Sequence, residues 1–147
     1  MNTKRMLITQ IILLALGLGA AVRPALAVTD ISFCDEITQP GSYRLTQDLK
    51  SSSATHCLLI DASNVTIDLQ GHTISGNGSK NSAGIKGSNA DLLNVEIRNG
   101  TVESFALAIR LSGVRGARIE HMRVVNNQGS AIIVGPGSVV SFSTVLN

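Results

Sequence analysis

The feature that most constrains this chain is a short apolar pattern that returns at nearly regular intervals. Ile97, Ile119 and Val140 are successive members of this pattern. Around these positions apolar and polar residues alternate, as in Val95-Glu96-Ile97-Arg98, which is typical of strands half buried against a core. Imperfect repeats of roughly 20 residues, built from strands and turns, predict a solenoid in which each repeat forms one coil.

A second set of short apolar segments runs between the members of the first set. The segments are Leu58-Leu59-Ile60, Gly84-Ile85, Ala108-Ile109 and Ala131-Ile132-Ile133-Val134. A leucine-rich repeat would need a fixed leucine ladder, which is absent, whereas a parallel β-helix tolerates unequal loops such as the Gly-, Ser- and Asn-rich stretch 76–82. No helical face is visible after residue 27. We therefore predict an all-β chain that forms a parallel β-helix.

Three stretches also resemble a known family. The segments NVTIDLQGHTISG (64–76), NVEIRNGTV (94–102) and GARIEHMRVVNN (116–127) are similar to the right-handed parallel β-helix repeats of the pectin-lyase-like superfamily. The resemblance covers about residues 31–147 and implies a right-handed solenoid, which we expect to have roughly four coils. Since the pattern stops at Leu146-Asn147, we expect an open C-terminal edge, left by truncation or covered by another chain. Because this scaffold carries lyases, hydrolases, esterases, epimerases and proteins without known chemistry, the resemblance implies no single activity.

The first residues have the composition of a targeting signal. Lys4 and Arg5 precede an apolar run from Ile11 to Val22, and Ala25-Leu26-Ala27 matches a small-x-small cleavage site. We predict removal of this segment and a secreted or periplasmic location. The predicted segments are the signal peptide at 1–27, an N-terminal cap with the first strands at 28–56, and the β-helix repeats at 57–147.

The two cysteines, Cys34 and Cys57, are expected to form a disulfide. Export to an oxidising compartment favours the bond, which would contribute about 3 kcal/mol by restricting the unfolded chain. Two cysteines this far apart, without a CxxC motif, indicate neither a zinc site nor a redox pair.

The charge of the mature chain limits its partners. The chain has 12 Lys and Arg and 10 Asp and Glu, and three of the basic residues (Lys4, Arg5 and Arg23) lie in the signal, which leaves 9 − 10 = −1. A nearly neutral chain lacks the basic stripe that phosphate backbones require, so we expect no nucleic-acid partner. No segment after residue 27 is long and apolar enough to predict a membrane partner.

The repeat register also predicts the outward surface. If Ile97 stacks on Ile119, the residues beside them form a column of alternating sign, with Glu96 beside Arg118, Arg98 beside Glu120, and Asp68 beside Arg98. The predicted outward charge ladder is Asp68, Glu96, Arg98, Arg118 and Glu120. Lyases of this shape need clustered aspartates for calcium and a basic residue to take a proton, whereas here each carboxylate has a cationic neighbour. We therefore predict a structural ladder, without a metal, a cofactor or an assigned catalytic residue.

The histidines do not add a convincing site. His72 lies in Gly-His-Thr, whereas the polygalacturonase-like pattern is Gly-His-Gly accompanied by paired aspartates. His121-Met122 is similar to a copper-ligand pair, but Met122 has inward parity and is expected in the core. His56 lies beside Cys57, but the sequence offers no third metal ligand near them.

Two further predictions concern asparagines at the corners of the coils and the aromatic residues. Asn126 and Asn147 follow equivalent valines in successive repeats, so they are expected to stack as a corner ladder. Phe105 and Phe142 are expected inside the coil. With no Trp and one Tyr, the chain has few rings on which a sugar could stack.

The sequence supports two hypotheses of function. The first is a secreted or periplasmic, non-catalytic β-helix module that is structural or binds a carbohydrate or another surface. The alternative is a polysaccharide-modifying enzyme (lyase, hydrolase or epimerase) whose active site lies partly outside this sequence, so the question of catalysis stays open. The expected partners are a polysaccharide and, at the open C-terminal edge, a second copy or missing coils.

Overall fold

A computed structural model of the protein describes residues 27–52, 55–88 and 91–146. All the secondary-structure elements within these ranges are β-strands. The strands are β1 (Val28–Ile31), β2 (Glu36–Ile37), β3 (Gly41–Leu45), β4 (Leu49–Lys50), β5 (His56–Ile60), β6 (Val65–Asp68), β7 (Thr73–Ser75), β8 (Ala83–Gly87), β9 (Leu92–Leu93), β10 (Val95–Glu103), β11 (Leu107–Leu111), β12 (Val114–Arg115), β13 (Arg118–Val125), β14 (Ile132–Val134), β15 (Val139–Ser141) and β16 (Thr144–Leu146).

The strands pair in parallel and form three sheets. The long sheet has the order β1-β3-β6-β10-β13-β15, joined by β4, β7 and β16; the short sheet has the order β14-β11-β8-β5-β2; and β9 pairs with β12. Together they form a right-handed parallel β-helix of about five turns, which confirms the predicted fold class. The helix has about one turn more than the sequence predicts, because β1 and β3 already pair in register as part of the long sheet.

Aliphatic side chains stack from coil to coil inside the long sheet. Ile67, Ile97 and Ile119 are register partners on successive strands, and all three are fully buried. Val65 and Val95 are paired and buried in the same way. Each such side chain contributes about 1.5–3 kcal/mol through its burial. The predicted stacking of Ile97 on Ile119 is confirmed.

The second repeat set forms the interior of the short sheet. Leu58, Ile85 and Ile109 are register partners and are fully buried. Ile132 continues the stack on β14 and packs against the core. The two sheets thus enclose one hydrophobic core, as the two interleaved repeat sets predict.

Asparagine and glycine form a corner before the long strands. Asn64, Asn94, Gly116 and Gly137 occupy equivalent places there, with φ values of 58°, 54°, 68° and 69°. The amide of Asn94 donates a hydrogen bond to Asn64 Oδ1 at 3.0 Å. Both residue types tolerate left-handed backbone angles at a modest cost. The asparagine contact between coils therefore lies at this corner.

The corner after β13 contains one member of the expected asparagine ladder. Asn126 has a φ of 53°, but its expected partner Asn147 lies outside the described residues. The next residue, Asn127, is buried. Its Oδ1 accepts a hydrogen bond from the Phe105 N–H, and its Nδ2 donates to the Val125 carbonyl. This side chain satisfies backbone groups that the turn would otherwise leave unpaired inside the core.

A left-handed residue also bends β10 and β13 near the middle and separates β15 from β16. Asn99, His121 and Phe142 take this position, with φ values of 59°, 52° and 47°. Phe142 is 82% exposed and stacks on His121 with ring centroids 5.2 Å apart, so the prediction that Phe142 lies inside the coil is wrong. The alternation of a straight strand does not hold across a left-handed bend. Phe105, by contrast, is fully buried as predicted.

Gly100, which follows this bend in β10, occupies a position that has no room for a side chain. A Cβ at this residue would overlap Leu69 Cβ and would lie 2.8 Å from the His72 carbonyl oxygen. Leu69 is fully buried. The glycine therefore allows the turn after β6 to place a leucine in the core.

Cys34 and Cys57 form a disulfide with an S–S distance of 2.06 Å and a Cα–Cα distance of 4.6 Å. The bond joins the turn after β1 to β5. In the described part of the chain, no helix has the length and apolarity needed to cross a membrane. Apart from residue 27, the predicted signal peptide lies outside the described residues.

Candidate functional site: the outward face of the long sheet

The outward surface of the long sheet, called here the long face, carries the predicted charge ladder. Because Ile97 points into the core, the residues on either side of it, Glu96 and Arg98, point outward. The register places Glu96 beside Arg118, and it places Arg98 between Asp68 and Glu120. In both columns, the charged residues that are neighbours therefore have opposite signs.

The arginines of the long face contact the acids in two ways. Arg98 Nε lies 3.0 Å from Asp68 Oδ2, which joins two coils. Arg98 Nη1 lies 2.9 Å from Glu96 Oε1, and Arg118 Nη1 lies 2.9 Å from Glu120 Oε1. These last two contacts are made within one strand, between residues two positions apart, and not across coils as the sequence suggests.

Asp68 is the most enclosed acid of the ladder, with a side chain 13% exposed. Its Oδ1 accepts a hydrogen bond from the Gln70 N–H at 2.9 Å, and the Asn99 amide donates at 3.2 Å. Burial alone raises the pKa of Asp68, but these two hydrogen bonds and the contact with Arg98 outweigh burial and lower the pKa. Asp68 is therefore held as a carboxylate.

The other end of the ladder is also fixed in its charged form. The hydrogen bond from Arg118 lowers the pKa of Glu120, and the carboxylate in turn raises the pKa of Arg118. Burial lowers the pKa of Arg98, but Asp68 and Glu96 outweigh it and raise this pKa. A general acid or base must exchange a proton near the working pH, whereas these pKa values are shifted away from neutrality.

Two shallow polar grooves lie along the long face. One, of about 370 Å³, is lined by Asn64, Thr66, Asn94, Val95, Glu96, Gly116 and Arg118. The other, of about 220 Å³, is lined by Val28, Ser42, Tyr43, Arg44, Thr66, Asp68, Gln70 and Arg98. At the edge of the second groove, Arg44 Nε lies 2.6 Å from Asp30 Oδ1. The grooves offer amides, hydroxyls and paired charges to a ligand.

One contact was missed by the sequence analysis. Asp48 Oδ1 lies 3.2 Å from His72 Nδ1 and accepts a hydrogen bond from the Thr73 N–H at 2.9 Å. The Thr73 bond first, and the histidine second, lower the pKa of Asp48. Because Asp48 and His72 are separated by 24 residues, close to one coil, the repeat length contained a signal for this pair.

Of the remaining histidines, His121 directly follows Glu120 of the ladder, whereas His56 lies apart from the ladder. His121 is exposed and stacks on Phe142, while Met122 is buried as expected. His56 has a buried Nδ1 without a hydrogen-bond partner and lines a cleft of about 500 Å³ beside the disulfide. In the ranges that the structure describes, no three His, Cys, Asp or Glu side chains form a group that could hold a metal ion.

The structure thus defines a right-handed parallel β-helix protein with a neutralised outward charge ladder. No protein-family model, curated protein or solved structure matches the chain.

Proposed function

We propose that this protein is a non-catalytic β-helix module that is structural or binds a carbohydrate or another surface. The observation that carries the proposal is the pairing of Asp68, Glu96 and Glu120 with arginines at 2.9–3.0 Å. Each of these carboxylates has its charge balanced by an arginine, and the contact between Asp68 and Arg98 also joins two coils.

The proposed location is the periplasm or the exterior of the cell. The disulfide between Cys34 and Cys57 supports an oxidising compartment. The signal-like composition of residues 1–27 supports export in an independent way.

We assign the fold, as part of this proposal, to the pectin-lyase-like superfamily. The stacked Ile67, Ile97 and Ile119 and the asparagine contact between Asn64 and Asn94 support this assignment. The resemblance implies a scaffold, and the function depends on the residues on its surface.

A polysaccharide is the proposed partner of the long face. The grooves supply hydrogen-bonding groups such as Asn64, Thr66 and Asn94. The exposed ring of Phe142 adds an apolar surface, packed on one side by His121, on which a sugar ring can stack. A ring buried in the core, as the sequence predicts, would offer no such surface.

The edge formed by β14, β15 and β16 is the proposed place of a second contact. Val140 and Val145 are 45% and 47% exposed, although their register partners Ile119 and Val124 are fully buried. Uncovered strands of this kind favour pairing with further strands. We propose that a second copy of this chain covers this edge.

Incubation with a panel of neutral and acidic polysaccharides tests the proposal. We expect retarded migration in gels that contain the bound polymer, a smaller retardation for Phe142→Ala, and no turnover. New unsaturated or reducing ends formed by the wild-type protein with calcium, and lost in Arg98→Gln, would contradict a non-catalytic module.

One contact favours the alternative, a polysaccharide-modifying enzyme. A histidine oriented by a carboxylate is an arrangement that general bases use, and the His72 side chain, 34% exposed, faces Asp48. If turnover is found, His72→Ala and Asp48→Asn should both reduce it, whereas the control His121→Ala should not. Turnover that survives both changes would exclude this pair as the site.

A further inference from the structure

The outward surface of the short sheet, called here the short face, carries a different column of residues. Arg110 lies between Ile109 and Leu111, both fully buried, so its side chain points outward. Following the register from coil to coil gives the column Glu36, Leu59, Lys86, Arg110 and Ile133. Two cations are thus direct neighbours on β8 and β11.

This arrangement opposes stacking. Neighbouring strands are about 4.8 Å apart, and like charges at facing positions are destabilising. On the long face the equivalent neighbours have opposite signs. Lys86 and Arg110 therefore form a place where positive charge is concentrated and not neutralised by the next coil.

Neither Lys86 nor Arg110 has an acid as an ion-pair partner in the described part of the chain. All ten Asp and Glu lie in described residues, and none forms an ion pair with Lys86 or Arg110, whereas the arginines at 44, 98, 115 and 118 each have an acid partner. Along the column, Glu36 is separated from Lys86 by Leu59. Within the described part of the chain, neither cation therefore forms an ion pair, and the nearest acid along the sheet is Asp61, which lies diagonally from Lys86 and is hydrogen-bonded to Ser88.

We propose that Lys86 and Arg110 bind a tetrahedral oxyanion, a phosphate or sulfate group carried by a soluble ligand. The planar guanidinium of Arg110 matches two oxygens of such a group, and the Lys86 ammonium supplies a second point charge one strand away. The half-buried Leu59 and Ile133 flank the pair, and apolar neighbours strengthen a charge interaction by reducing local hydration. This site does not depend on the long face or on the proposed function.

Titration of the purified protein with sodium phosphate and with sodium sulfate, at constant ionic strength and against chloride, tests the proposal. We expect saturable amide NMR shifts centred on Lys86 and Arg110 in both titrations, and the tighter of the two anions identifies the source of the group. Shifts that do not saturate, or that spread evenly over all basic residues, would overturn the proposal.

Substitutions distinguish anion binding at this site from a general attraction of anions to basic residues. Lys86→Gln and Arg110→Gln should each weaken binding by about tenfold, equivalent to about 1.4 kcal/mol, and Lys86→Arg should preserve it. The matched control is Arg123→Gln, since Arg123 is exposed and has threonines at both register positions. An equal loss of affinity in the control and in Arg110→Gln would also overturn the proposal.

Discussion

The long face and the short face cover the same core with opposite arrangements of charge. On the long face, Arg98 lies between Asp68 and Glu120 and contacts two acids. On the short face, Lys86 and Arg110 are register neighbours, and the residues on their other sides are Leu59 and Ile133. Because the fold holds both a favourable and an unfavourable outward column, we infer that the stacked interior determines the register.

The largest expected effect comes from the core that both faces share. Ile97→Ala should reduce the free energy of unfolding by about 2–5 kcal/mol, since it leaves a cavity between Ile67 and Ile119. Urea denaturation measures this loss. As a matched control, Ile97→Val should cost about 0.5–1.5 kcal/mol. Equal effects of the two changes would show that Ile97 is not enclosed on both sides.

The next effect would separate the two faces. Arg98→Gln should reduce stability by about 1–2 kcal/mol, because it leaves the enclosed Asp68 carboxylate without its cation. The same change at Arg110 removes no ion pair. Denaturation of both variants in the same buffer compares them, and an equal loss at Arg110 would remove the distinction between the faces.

Acid should weaken the long face selectively. The pKa of Asp68 is lowered in the folded protein, so its contribution is present above its ordinary value near 3.8 and is lost as the pH falls through the lower folded pKa. We expect thermal stability to decrease as the pH falls from the ordinary pKa of 3.8 through the lower folded pKa. The decrease should be smaller in Asp68→Asn. Thermal unfolding followed by circular dichroism at pH 2–6 would measure both, and identical pH profiles would contradict the assignment.

The smallest effect concerns repulsion on the short face. Arg110→Gln should leave stability unchanged or raise it by about 0.2–1 kcal/mol, because it removes a like-charge neighbour of Lys86. Salt screens exposed charges, so the gain should shrink as sodium chloride is added. A gain that is independent of salt would point to a cause other than charge.

The fold was predictable because the interior repeats in the sequence. The spacing from Ile97 to Ile119 predicts the observed register, and this register fixes which outward residues are neighbours. The register does not determine the direction in which a long, flexible side chain extends. Arg118 contacts Glu120 on its own strand, although Glu96 is its register neighbour, because a flexible arginine reaches either acid.

Two further differences arise from the backbone. The left-handed bend at Asn99, His121 and Phe142 reverses the expected direction of Phe142. In the sequence this bend is marked only by an odd spacing between the buried residues on its two sides, such as Ile119 and Met122. The pair Lys86 and Arg110 needed only the spacing already used for Ile85 and Ile109, applied to the next residue.

The most direct test of the account is a matched pair of charge reversals, measured by urea denaturation at low ionic strength. Lys86→Glu places an acid beside Arg110, and Arg98→Glu places an acid between Asp68 and Glu120. The account predicts that the first change increases the free energy of unfolding and the second decreases it. Changes of the same sign and size in both variants would contradict the account.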